Sequence, residues 1–293
     1  MIELQKINYK DYPEYMFAIV AAYLPGHEGE DLRRVAGTVV FRYTDKDGST
    51  YKNGLLHSYD DLPAVINGHI QLWYRDGKRH RDFDSPAFID KDCREWWTNG
   101  KRHREGDLPA IINGHRQIWC WDGELHREGD LPAIVDGQIQ VWYKNGQIYR
   151  EDDKPSAIDG QLQKWHLNGL LGREGDKPSV VIANIRFEWY LEGKRHREGD
   201  QPAVVDGDYR AWYKNGCLHR ECDLPAVING DREEWWVNDK RHREGDKPAL
   251  INRNYSAWFK NGEFHREGDL PAVIDLDSNR REWYKEGVHI KSK

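Results

Sequence analysis

Ten times along this 293-residue chain a proline stands two residues after an aspartate, and eight of the nine intervals between those prolines are 23 residues long. They are Pro63, Pro86, Pro109, Pro132, Pro155, Pro178, Pro202, Pro225, Pro248 and Pro271. Ile or Val follows each proline by three residues, and a tryptophan follows by ten: Trp73, Trp96, Trp119, Trp142, Trp165, Trp212, Trp235 and Trp258. Trp189 and Trp283 fill the same slot after insertions of one and two residues. The unit reads W-[YWF]-x-[ND]-G-x-x-H-R-E-G-D-x-P-A-x-[IV]-[ND]-G. One such unit has too few apolar side chains to offset the entropy of ordering it, so neighbours must cover each other.

The pieces of the unit specify β-structure. Asn-Gly or Asp-Gly follows seven of the ten tryptophans, as at Asp76-Gly77 and Asn99-Gly100, and stands earlier at Asn53-Gly54. It suits a type I′ turn, which needs positive φ at both central residues. A second such dipeptide follows the Pro-Ala-x-Ile stretch, as at Asn67-Gly68 and Asn229-Gly230. Short runs such as Gln71-Leu72-Trp73-Tyr74 lie between, rich in strand-forming residues. Proline suits the first position of a strand, and Asp-x folds a polar turn before it. Helical periodicity is absent from the run. The expected fold is all-β: an elongated solenoid of about ten 23-residue antiparallel hairpin units, each of two or three strands. A closed ring of five blades is the competing architecture. Residues 1–50 read as an N-terminal cap, with a short helix over Asp11–Leu24 and a degenerate hairpin; residues 51–293 form the array.

Composition narrows the function. Only 38% of residues are hydrophobic and 32% are charged, a balance that leans towards disorder; 13 Trp, 15 Tyr and 7 Phe argue for a core of rings. A net charge of −6 gives no case for nucleic acid. The longest apolar stretch, Met16–Leu24, has nine residues, against about 20 for a membrane span. The N-terminus lacks the apolar core of a secretory signal. Cys93, Cys120, Cys217 and Cys222 have neither zinc-pair spacing nor the density of a disulfide framework. The expectation is a soluble protein of the cytoplasm.

Two columns invite chemistry. The histidines His57, His80, His103, His126, His196, His219, His242 and His265 recur once per repeat, with Tyr149 and Gly172 in the same slot elsewhere. At two strands per repeat they would stand about 10 Å apart, too far to share an ion bound at about 2 Å. They read as a structural ladder with the ten tryptophans and with the aspartates Asp84, Asp107 and Asp130. The adjacent arginines should pair with those aspartates within or between repeats, as Arg81 with Asp84 or Arg104 with Asp107. No metal or cofactor is implied, and the even spread of unusual residues argues against an active site. The residues after the tryptophans (Tyr74, Trp97, Tyr143, Tyr190, Tyr213, Trp236, Phe259, Tyr284) point to the opposite face. That row either lines an exposed interaction stripe or is buried between two layers; Cys120 and His166 interrupt it.

The W-x-x-x-G-x-x-H skeleton over residues 51–289 resembles the MORN repeat. The H-R-E-x-D-x-P-A variant, with arginine where that family usually has glycine, is similar to repeats of large DNA viruses of amoebae. The resemblance implies an elongated, non-catalytic scaffold for protein contacts, sometimes dimeric; independently of it, an open solenoid leaves end strands through which copies could pair. It also implies lipid headgroup binding in some members, against which the anionic balance argues here. Tyr12-Pro13-Glu14-Tyr15-Met16 through Tyr23-Leu24-Pro25 resembles the F-box that precedes some viral arrays. A second reading comes from the Trp-Tyr pairs followed by Asn-Gly, which are similar to choline-binding repeats: an aromatic-cage protein for glycans or choline-like cations.

Overall fold

The structure, a computed structural model, describes residues 42–293, which divide into two compact units, residues 42–137 and 138–293. The helix expected over Asp11–Leu24 and the F-box-like stretch lie outside the described residues, within which every element is a strand. Of the expected cap, the hairpin is described: Arg42–Thr44 pairs with Thr50–Lys52, which pairs on with Leu55–Leu56.

Each of the first nine repeats contains four strand segments, not two or three; the last has three, with Arg280–Lys285 continuous through Trp283. After Pro86-Ala87, Phe88–Asp90 turns back into Cys93–Glu95; after Trp96, Trp97–Thr98 turns back into Lys101–Arg102. The first pair belongs to a ladder, in which Phe88 faces Glu95 and Glu95 faces Ile111 of the next repeat. The second pair is a separate short hairpin. The chain changes partner at the tryptophan between them. Trp96 donates its N–H to the carbonyl of Ala110 in the following repeat at 2.8 Å, while its own carbonyl accepts from the N–H of His103 at 3.1 Å. Serving both directions takes that residue out of either strand. Ala or Ser follows each proline because the slot is closed: Ala64, Ala110 and Ala226 are 0% exposed and Ser156 and Ser179 1%.

In the first unit the ladder runs without a break through seven strands, from Val65–Asn67 to Ile134–Asp136. In the second it runs through fourteen, from Ile139–Val141 to Val288–Ser292. All pairings are antiparallel, and neither unit closes into a barrel or divides into separate blades. The short hairpins are stitched together as well: the N–H of Gly123 donates to the carbonyl of Arg102 in the preceding hairpin at 2.9 Å, and Gly216 to Arg195 at 2.9 Å.

The two kinds of turn differ. Short hairpins have positive φ at both central residues, as at Asp76 (+47°) and Gly77 (+78°), the type I′ pattern expected. In the ladder hairpins the turn sits one residue later than expected. Asn67 pairs with Ile70 across the ladder, so Gly68 (φ +58°) and His69 form the turn, with glycine first as in type II′. Extra residues are absorbed here. The insertions before Trp189 and Trp283 fall at Ala183–Ile185 and Leu276–Asn279, leaving the strands on either side in register.

Candidate interaction surface

Eight of the ten repeat tryptophans are buried, at 3% to 8% exposure, and Trp189 and Trp283 are half-buried. Most of these rings are held on three sides. In six of them the indole N–H donates to the carbonyl of the loop aspartate twelve residues earlier, as Trp96 to Asp84 at 2.9 Å, Trp119 to Asp107 at 3.0 Å and Trp235 to Asp223 at 3.0 Å. The indole N–H groups of Trp142, Trp189 and Trp258 have no hydrogen-bond partner among the described residues. An arginine lies flat over the ring, with Arg104 3.7 Å from Trp96, Arg127 3.7 Å from Trp119 and Arg243 3.7 Å from Trp235. Its fork then grips the carboxylate of the same aspartate, Arg104 reaching Asp84 at 2.7 and 2.9 Å. The remaining guanidinium nitrogen donates to a proline carbonyl, that of Pro109 at 3.3 Å.

Pairing is therefore between repeats. Arg81 pairs with Asp61, not Asp84, and Arg104 with Asp84, not Asp107. The reason is the ring: an arginine flat on an indole docked to the preceding loop meets that loop's aspartate. These contacts hold Asp61, Asp84, Asp107, Asp200 and Asp246 below the usual carboxylate range. Asp153 and Asp223, which also take Lys177 and Lys247, fall to about 2. At the last unit Lys291 stands in the arginine's slot, 4.8 Å over Trp283 and 2.9 Å from Asp269.

The histidines join repeats through the backbone. Nδ1 of His80 accepts the N–H of Asn99 at 3.1 Å, Nδ1 of His196 that of Asn215 at 3.1 Å, and Nδ1 of His242 that of Asn261 at 3.1 Å. With Nδ1 accepting, the proton belongs on Nε2, which faces a carboxylate: Asp82 at 2.9 Å from His80, Glu198 at 2.8 Å from His196. Both ring nitrogens of His80, His196 and His242 are thus engaged, while Nδ1 of His219 has no partner among the described residues. Among the described residues no three His, Cys, Asp or Glu side chains converge as a metal site would require.

The second aromatic row is not an exposed stripe. Tyr74, Trp97, Tyr143, Tyr190, Tyr213, Trp236 and Tyr284 are half-buried and Phe259 is buried. At Tyr74, Trp97, Tyr190, Tyr213, Trp236 and Phe259 the cause is the short hairpin, which carries Arg79, Arg102, Arg195 and Arg241 over the rings at 4.7 to 5.8 Å; Tyr284 stacks on Phe264 instead. Guanidinium groups thereby occupy the positions a ligand cation would take in an aromatic cage.

Beneath this row lie residues the 23-residue consensus does not reveal. Glu188 and Glu234, each immediately before a repeat tryptophan, are 5% exposed. Glu234 accepts from Arg232 at 2.6 Å, Arg241 at 2.9 Å and the Trp236 indole at 2.9 Å; Glu188 accepts in the same way from Arg186, Arg195 and Tyr190. Burial raises the Glu234 carboxyl, but the arginines outweigh it and hold the group below its ordinary range. Between these lie apolar cells: Ala211 with Leu218 and Tyr209, then Ala257 with Phe264 and Tyr255. The second unit therefore alternates with a two-repeat period, legible as Arg186, Tyr209, Arg232, Tyr255 and Arg280 in one slot.

The loop edge offers shallow cavities. One of about 320 Å³ lies between the His242–Lys247 loop and Trp258, and one of about 280 Å³ between the His196–Gln201 loop and Trp212. Their walls are the paired groups already described. A serine–histidine contact exists at Ser156 Oγ and His166 Nδ1, 2.8 Å apart, but Ser156 is 1% exposed and so orients the ring instead of meeting a substrate. Cys120 is buried, and burial pushes its thiol up to about 11, which makes it a packing residue. No helix among the described residues is long and apolar enough to cross a membrane. Compared with known proteins, the chain matches no family model, and no curated protein matches it.

Proposed function

We propose that this chain is a non-enzymatic, MORN-like repeat scaffold that presents its surface to another protein. The observation that supports this reading is where the repeated polar side chains go. The arginine, aspartate and histidine of the unit each bind a neighbouring repeat, as Arg104 does Asp84 and His80 the N–H of Asn99. Groups so engaged hold an array together and are not free to act on a substrate. Four free cysteines fit a reducing compartment such as the cytoplasm.

The test is affinity capture of the full chain from its native host with lysine crosslinking. The expected result is a discrete protein crosslinked in stoichiometric amount to array residues, with tryptophan fluorescence unmoved by choline or a glycan panel. A saturable fluorescence response to either ligand, without a crosslinked protein, would replace this reading with the aromatic-cage one.

A further inference from the structure

The slot three residues before each proline has positive φ in every described repeat, and glycine fills it at Gly106, Gly129, Gly175, Gly199, Gly245 and Gly268. Asp60 and Asp152, of a residue type that tolerates this region, fill two more. The remaining two repeats have Cys222, at φ +61°, and, in the first unit, Phe83, at φ +57° and 97% exposed. A phenylalanine there strains the backbone by roughly 1 kcal/mol or more and covers no part of the protein. The fold gains nothing from it.

Phe83 does not stand alone. Leu62, Leu108 and Leu131, each immediately before a repeat proline, are exposed on the same edge of the first unit. In the second unit the same place holds Lys154, Lys177 and Lys247, Gln201, and the exposed leucines Leu224 and Leu270, so what sets the first unit apart is Phe83 beside its leucines. Trp121, 54% exposed, stands in a slot that the second unit fills either with the apolar Leu167, Leu191 and Val237 or with lysines, of which Lys144, Lys214 and Lys260 reach the loop glutamates Glu151, Glu221 and Glu267. Its indole lies against His103 with ring centroids 4.4 Å apart. With tryptophan in the lysine's place, Glu128 keeps only His126 as its ion-pair partner, and Asp60 and Glu105 have none among the described residues.

Resting on the scaffold reading, we propose that this edge of the first unit receives a cationic amphipathic helix of a partner protein, with Phe83 and Trp121 as its aromatic anchors. The unpaired carboxylates beside apolar side chains set the chemistry of the occupant. The spacing sets its form. Successive loops are two ladder strands apart, about 9.6 Å, and a helix rises about 10.5 Å over seven residues. A heptad therefore offers one apolar side chain to each loop. An extended strand covers that distance in three residues and would turn alternate side chains away.

The test uses the full chain and a synthetic helical peptide with leucine at heptad positions and lysine flanking them, followed by fluorescence anisotropy. Phe83→Gly is expected to weaken binding roughly tenfold or more while the melting temperature holds or rises, because glycine fits the positive φ. Glu105→Gln should weaken it less, Leu224→Ser in the second unit should leave it unchanged, and a glutamate-flanked peptide should not bind. Equal affinity of Phe83→Gly and the unaltered chain overturns the proposal. So does a lower melting temperature in that variant, which would make the ring structural. A dimer in sedimentation that Phe83→Gly dissolves overturns it too, since the occupant would be a second copy. If the peptide fails while a host protein still crosslinks elsewhere on the array, only this proposal falls and the scaffold reading stands.

Discussion

The two faces of the tryptophan rows obey different rules. On the loop face successive repeats share one arrangement, arginine on indole and arginine fork on aspartate carboxylate, joined in most repeats by indole on aspartate carbonyl. On the hairpin face of the second unit neighbours differ, a buried glutamate with its arginines at Glu188 and Glu234 and an apolar cell at Ala211 and Ala257. Uniformity follows from the first arrangement because each group takes its partner from the preceding repeat, so one departure leaves two neighbours unsatisfied. Alternation suits the second because glutamates in adjacent repeats would place like charges about 10 Å apart under a half-buried layer. One face makes repeats stack; the other makes them distinguishable.

The largest way to break the first rule is Trp235→Ala, in the middle of the second unit. It removes a ring 5% exposed together with its hydrogen bond to Asp223, and should cost about 3–5 kcal/mol, read as a fall in thermal or urea midpoint. Next is Glu234→Ala, which leaves Arg232 and Arg241 facing each other without a carboxylate. As those arginines are partly exposed, about 2 kcal/mol is expected, below the full penalty for a broken buried pair. Adding Arg241→Phe recreates the Ala257–Phe264 cell and should restore most of the loss in a double-mutant cycle; a further loss would mean that the two cell types cannot be exchanged.

A smaller effect should come from Arg243→Lys. The charge stays near Asp223, but the planar stack on Trp235 and the fork are lost, for about 1 kcal/mol. The smallest per group is acid sensitivity. The loop aspartates are depressed in the folded state, so their contribution is complete above about pH 4. It fades as pH falls towards the value of about 2 held by Asp153 and Asp223. Each carboxylate is substantially exposed and contributes little alone. The loop face should nevertheless loosen between pH 4 and 2, as a shift in tryptophan emission, and Asp153→Asn should flatten that transition.

Much of the architecture could be read from the chain. Asn-Gly after the tryptophan marked the short hairpins, and the Asp-x-Pro period marked the repeat. The partner change at Trp96 was hidden, because it depends on a carbonyl from the next repeat, which one unit's pattern does not contain. The ladder turn was placed one residue early at Asn67-Gly68 because that dipeptide looks the same whether asparagine lies inside the turn or closes the ladder beside it. The buried glutamates were visible in principle. Arg186, Glu188 and Arg195 recur as Arg232, Glu234 and Arg241 46 residues later, a period that disappears when every repeat is aligned to a single 23-residue consensus. Strand alternation alone left the second row between an exposed stripe and a buried layer, because it says which way Tyr190 points but not that Arg195 folds back over it.

The tolerance of the ladder turns has a practical side. Three residues at Ala183–Ile185 and four at Leu276–Asn279 replace the usual two while Val180 still faces Glu188 and Val273 still faces Glu282. Foreign sequence such as an epitope or a dye-labelling tag belongs at those bends, one per repeat and on a chosen repeat, whereas the opposite margin, where loop length never changes, should be left as it is.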